Sequence, residues 1–198
     1  LDRNSGNVVN ALFAAETATK AAKCGGKNQV KALDWSNVDL HKREEQANWV
    51  QAIQRALRED RFELYAQIIM PINNPLEKVH YEILLRMKNE KDEIVSPGAF
   101  LPVAERYQMM PSLDRWVISK VIEFLAEHVA TPEFRNIVWS VNLSGQSLSD
   151  ESFIDFLKNE FLGSGLPPQL VCFEITETSA INNLSKVGTF VKTLKEKG

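Results

Sequence analysis

The sequence predicts an α/β fold with parallel strands, an α/β barrel or a doubly wound sheet, and three apolar runs carry that prediction. They are His80–Met87 (HYEILLRM), Val138–Ser144 (VWSVNLS) and Leu170–Glu177 (LVCFEITE). Successive side chains of a strand point to opposite faces, so each run sorts by parity. Ile83, Leu85 and Met87, then Trp139, Val141 and Leu143, then Val171, Phe173 and Ile175 make one uniformly apolar face. The opposite face carries His80, Glu82, Leu84 and Arg86, then Ser140, Asn142 and Ser144, then Cys172, Glu174 and Thr176. A strand that is apolar on one side and polar toward its end on the other suits a parallel barrel. Helices cover the outside of such a barrel, and the C-terminal strand ends hold its active site.

The elements follow in chain order. Val8, Ala11, Leu12, Ala15, Ala18 and Ala22 fall at helical spacing, Cys24-Gly25-Gly26 stops that helix, and Asn28–Leu33 reads as a short strand. This piece is too small to bury its own apolar face, so residues 1–33 are assigned to an upstream domain. Residues 34–60 read as a helical connector, with Trp49, Val50, Ile53, Ala56 and Leu57 as its apolar stripe. The main domain occupies 61–198. It opens with a strand over Phe62–Pro71, an Asn73-Asn74-Pro75 turn and a second strand over Val79–Met87. Pro97–Tyr107 reads as a short helix with proline in its first turn. Ser112 is the expected N-cap of a helix carrying Leu113, Trp116, Val117, Val121 and Leu125, which ends before Thr131-Pro132. After the Val138 strand, Ser149 is the expected cap of a helix striped by Phe153, Phe156, Leu157 and Phe161. Gly163–Pro168 reads as a turn, and a last helix runs from about Asn183 to Lys197, with Gly198 as its C-cap.

Composition excludes several classes. The 198 residues are 44% hydrophobic and 25% charged with a net charge of -3, so no basic surplus points to nucleic acid. No apolar stretch approaches a membrane span, and no signal peptide opens the chain. Cys24 lies at a helix end and Cys172 inside a strand, which suits reduced thiols and a cytoplasmic setting better than a disulfide. The chain reads as a piece of a longer protein whose parent could be membrane-anchored.

Glu82, Asn142 and Glu174 each stand near the end of a separate run on the polar face, with Glu177 close behind. Carboxylates with one amide oxygen suit a hard cation such as Mg²⁺. Taken singly, a strand glutamate is more often a rim ion-pair partner, an asparagine a turn former, and Arg86 a snorkelling surface residue. Their joint placement at strand ends is what points to a cation site. Trp116, Trp139 and the Phe153–Phe161 stripe read as core, His80 as a lumen residue, and His41 and His128 as solvated.

Six segments carry a family resemblance. They are Tyr65-Ala66-Gln67, Glu82-Ile83-Leu84-Leu85-Arg86, Ser96 to Glu105 (SPGAFLPVAE), Leu113-Asp114-Arg115-Trp116-Val117, Val141-Asn142-Leu143-Ser144 and Phe173-Glu174-Ile175-Thr176-Glu177-Thr178. In this order they resemble the EAL domain, the cyclic di-GMP phosphodiesterase family, with Ile83 where alanine is usual. Residues 8–33 more softly resemble the end of a GGDEF (diguanylate cyclase) domain. The resemblance implies a TIM-like barrel with an antiparallel first strand, of which only the first half is present. It implies hydrolysis of cyclic di-GMP to linear pGpG with two Mg²⁺ or Mn²⁺ ions. Catalytic roles fall on Glu82, Glu174 and Glu177, and metal ligation on Glu82, Asn142 and Glu174. Substrate contacts fall on Gln67, Leu85, Arg86, Pro97 and Asp114. It also implies a homodimer formed through this domain, no nucleic-acid partner and no direct membrane contact. The alternative expectation is an inactive module of the same fold that binds cyclic di-GMP as a receptor. The resemblance also implies that the family's adjacent aspartate pair would lie on a further strand, beyond Gly198.

Overall fold

In the computed structural model, which describes residues 19, 35–72, 78–176 and 184–196, Leu1–Trp49 and Val50–Gly198 form two compact units. Helix α1 (Trp35–Arg58) supplies residues to both, and within the second unit its Ile53 and Ala56 are buried. The helix ends where Asp60 takes a left-handed backbone (φ 54°), a conformation that aspartate tolerates better than most residues. Trp116 Nε1 donates to Asp60 Oδ1 at 2.8 Å, and Lys120 pairs with Asp60 at 3.1 Å. The hydrogen-bonded Lys120 ammonium, with the Trp116 bond second to it, holds the Asp60 carboxyl below its usual pKa. The chain thereby reverses into the sheet.

Among the described residues five strands follow: β1 (Phe62–Ile69), β2 (Val79–Lys88), β3 (Ile94–Val95), β4 (Ile137–Leu143) and β5 (Val171–Ile175). The sheet order is β1-β2-β4-β5, with β3 added to the end of β2. β1 runs antiparallel to β2, as expected, with Gln67 opposite Glu82. β2–β4 and β4–β5 are parallel, with Glu82 opposite Ser140 and Asn142 opposite Glu174. β4 accompanies β2 only over Val79–Ile83, and the short β3 takes the far end at Met87 and Lys88. The sheet is open, with β1 and β5 as its edges. Consistent with an edge, Tyr65, Ile68 and Ile69 of β1 are about half exposed.

The parity reading is met on the apolar face. Ile83, Trp139, Val141 and Leu143 are buried together with residues from the covering helices. Those helices are α2 (Pro97–Arg106), α3 (Met110–His128), α4 (Pro132–Arg135), α5 (Gly145–Leu148), α6 (Phe153–Ser164) and α7 (Leu184–Lys195). The core of α3 is Leu113, Val117, Ile118, Val121, Ile122 and Leu125, and α6 and α7 add Phe153, Leu157 and Phe190. Between α6, β5 and α7 an apolar groove runs along the open edge, lined by Leu157, Phe161, Phe173, Phe190 and Leu194 among others.

Several local expectations need correction. Helix α3 begins at Met110 rather than after Ser112, and its Met109 cap makes no side-chain bond. Pro111, with its fixed φ and missing N–H, suits that first turn and removes the need for a serine cap. Ser149 does not cap α6. It closes α5, a single turn capped by Ser144, whose side-chain oxygen accepts from Ser147 N. Gly165, at φ 67°, ends α6 in the left-handed cap that glycine adopts without a Cβ clash. The expected turn after it includes a 3-10 segment, Pro168–Leu170, which shortens β5 to Val171–Ile175. His128 is not simply solvated. Its ring stacks on Phe124 at 4.3 Å, and Nδ1 lies 2.7 Å from the Phe124 carbonyl. The residue 8–33 elements, the Asn73-Asn74-Pro75 turn and Glu177 lie outside the described residues.

Candidate active site

Parallel pairing sets Glu82, Asn142 and Glu174 on three adjacent strands and on one face of the sheet. Asn142 and Glu174 are direct cross-strand partners, and Glu82 pairs with Ser140, two residues before Asn142. Asn142 Nδ2 donates to Glu82 Oε1 at 2.9 Å, which ties the first two together across 60 residues of sequence. Glu82 is half-buried, whereas Asn142 and Glu174 are exposed, so both carboxylates are open to a solute. Beneath them Ser140 is 2% exposed, closing the floor of the cluster. Among the described residues, no group of three or more His, Cys, Asp or Glu side chains is placed to hold a metal. Two carboxylates and one amide are what the site contains. All three are hard oxygen donors, as Mg²⁺ prefers, and a Mg²⁺ site commonly keeps several waters in place of protein ligands. The donor set fits part of a cation site.

The residues expected at the substrate do not share one face. Gln67 is exposed on β1 directly opposite Glu82, and Arg86 follows on Glu82's face of β2. The Arg86 guanidinium lies 5.4 Å from the Tyr65 ring centre, and Nη1 donates to the Leu85 carbonyl at 2.9 Å. Stacked on an aromatic face, it keeps further N–H donors of the five a guanidinium carries. Leu85 points to the other face and packs against the core. Pro97 opens α2 and is half-buried. Asp114 is 5% exposed, and its Oδ2 accepts from Ser144 N at 2.9 Å and Ser147 Oγ at 2.6 Å. Burial pushes its carboxyl above the usual pKa, against the opposing pull of those hydrogen bonds and of Arg115.

The neighbouring Arg115 grips the other end of the same connection. Its Nη2 pairs with Asp150 at 2.8 Å and donates to Ser152 Oγ at 2.8 Å. Its guanidinium also lies 5.1 Å from the Phe153 ring and 5.3 Å from Phe156. Asp150 in turn accepts from Ser152 N and Oγ, and bonds from Ser152 and Arg115 hold its carboxyl below the usual value. Two consecutive residues of α3 thus clamp residues 144–152, which begin two positions after Asn142. Sequence reasoning missed this clamp. The available signal was a carboxylate inside an apolar helical stripe, since Asp114 stands at the spacing of Ile118, Val121, Ile122 and Leu125.

Comparison with known proteins identifies the family. The EAL domain family model matches residues 50–198. The cyclic di-GMP phosphodiesterase PdeB of Shewanella oneidensis is 31% identical over 192 residues, 97% of this chain and 22% of its own length. The cyclic di-GMP phosphodiesterase PdeF of Escherichia coli is 35% identical over 147 residues, 74% of this chain and 19% of its own. Among solved structures, the FimX EAL domain of Pseudomonas aeruginosa bound to c-di-GMP superposes with a TM-score of 0.68 at 29% identity. That match covers 75% of this chain and 58% of the FimX chain. The chain therefore spans little more than half of a solved EAL domain and about a fifth of the curated relatives' length. With a family model covering residues 50–198 and an open sheet matching the TIM-like EAL barrel, this chain belongs to the EAL domain family.

Proposed function

We propose that this chain carries the first metal-ligating half of a cyclic di-GMP phosphodiesterase site that yields linear pGpG. The observation that carries the reading is the adjacency of Glu82, Asn142 and Glu174 at neighbouring strand ends, with Asn142 bonded to Glu82. The names of PdeB and PdeF support the substrate. A divalent cation held by these residues, Mg²⁺ or Mn²⁺, would lower the pKa of a bound water and neutralise charge on the phosphodiester. The chain's own residues do the rest. Glu82 and Glu174 supply negative charge at the strand ends. With Nδ2 committed to Glu82, the carbonyl oxygen is the ligand atom that Asn142 would offer. The same hydrogen bond orients Glu82, the kind of support that ligating carboxylates need. Arg86, braced by Tyr65 and the Leu85 carbonyl, would hold a non-bridging phosphate oxygen, and Gln67 faces the same space from β1.

The test is turnover of cyclic di-GMP by the full-length protein with Mn²⁺, read as linear dinucleotide by chromatography, beside the Glu82→Gln variant. Turnover that depends on Glu82 supports the reading. Tight cyclic di-GMP binding without any turnover would instead assign the chain to the receptor type.

A further inference from the structure

We propose that Lys88 is a positioning residue that occupies Glu63 and so leaves the Arg86 guanidinium open to a phosphate oxygen. Its consequence for binding rests on the reading of Arg86 as the phosphate contact. The register of β1 against β2 puts Glu63 directly opposite Arg86, where a carboxylate and a guanidinium are placed to pair across the strands. A guanidinium is also the stronger partner, since its planar fork can bond both carboxylate oxygens at once. That pair is not formed. Glu63 Oε1 instead bonds Nζ of Lys88, two residues beyond Arg86 on the same face of β2. The bond to Glu63 holds the Lys88 ammonium above its usual pKa. Asp92, a second carboxylate acting on Lys88, is taken by Arg61 at 3.0 Å. Among the described residues Arg86 therefore has no ion pair. Its guanidinium lies 5.4 Å from the Tyr65 ring centre, and Nη1 donates to the Leu85 carbonyl at 2.9 Å. Tyr65 stands opposite Leu84, on the Glu82 side of the Glu63–Arg86 rung, so the arginine is stacked there rather than bonded to Glu63. A phosphate that reaches Arg86 displaces no carboxylate. Without Lys88 it would compete with Glu63. The Lys88 and Glu63 side chains are 32% and 37% exposed, and a pair so placed adds little to stability, so its removal leaves the fold in place for comparison.

The experiment uses the full-length protein in a double-mutant cycle of Lys88→Met and Glu63→Gln, with Lys88→Met repeated on Arg86→Ala. Two quantities are read: the reactivity of Arg86 toward phenylglyoxal without ligand, by peptide mass spectrometry, and cyclic di-GMP affinity by calorimetry in metal-free buffer. Lys88→Met should lower both by about 2- to 5-fold, the scale of a partly exposed ion pair passing to Arg86. Glu63→Gln alone should change neither, because Lys88 has already taken that carboxylate. In the Lys88→Met background Glu63→Gln should restore both. On Arg86→Ala, Lys88→Met should have no further effect on affinity. Equal effects of Glu63→Gln with and without Lys88 would mean a general charge effect and overturn the proposal. An affinity loss in Lys88→Met that Glu63→Gln does not restore, and that persists on Arg86→Ala, overturns it in favour of Lys88 touching the dinucleotide itself. Arg86 reactivity that follows the cycle, with affinity indifferent even to Arg86→Ala, supports the role of Lys88 and removes the phosphate-contact reading instead.

Discussion

Replacing Asp114 separates the value of its hydrogen bonds from the cost of its buried charge. Asp114→Ala removes the acceptor of Ser144 N–H and Ser147 Oγ–H, and Ser147 has no exposure through which water could take its place. Each donor left in that state costs about 1–3 kcal/mol, so the pair costs about 2–4 kcal/mol after relief of the buried carboxylate offsets part of it. Asp114→Asn keeps a carbonyl for both donors and removes the charge, so stability should stay within about 1 kcal/mol of the unaltered protein. The two variants also differ in pH dependence. Burial raises the Asp114 pKa above the ordinary 3.8, so its folded form holds a proton that the unfolded chain has already released. The resulting stability is present in full below 3.8 and is lost as pH rises through the raised folded value. Asp114→Asn does not titrate, and its stability relative to the unaltered protein should rise between pH 4 and pH 7. Urea unfolding followed by tryptophan fluorescence at the two pH values reads this directly. Equal loss of stability in the alanine and asparagine variants, or a difference independent of pH, would refute the reasoning.

Other expectations follow from the same contacts. Arg115→Met should cost about 1–2 kcal/mol in urea unfolding, because a partly exposed ion pair and two ring contacts are lost together. Asp150, held below its usual pKa, contributes stability above pH 3.8 that fades as pH falls through its lowered value, and Arg115→Met should shrink that acid-side loss. Phe153→Ala, at a fully buried position under α3 and against Phe190, should destabilise by about 3–5 kcal/mol. Arg86→Ala should weaken cyclic di-GMP binding by about 1–3 kcal/mol in calorimetry, whereas Glu82→Gln should abolish turnover with a smaller effect on binding. Equal binding losses in those two variants would reject that division of roles.

Much of the sheet was legible because parity is a local property. The alternation of Ile83, Val141 and Phe173 with Glu82, Asn142 and Glu174 needs only that the runs be strands, and the strands pair in that phase. Caps were less legible. Ser112 and Ser149 have the right chemistry, but Pro111 and the turn at Ser144 had already set the neighbouring helix ends. Long-range polar contacts were least legible of all. Asp114 meets Ser144 across 30 residues, a distance that no periodicity encodes, and only its misfit within an apolar stripe marked it.

The measurement closest to the central claim is a structure of the complete domain with Mn²⁺ bound. Glu82, Asn142 and Glu174 should direct side-chain oxygens at one ion at roughly 2.0–2.3 Å. An ion bound elsewhere, with these three oxygens turned away from a common point, would contradict the account.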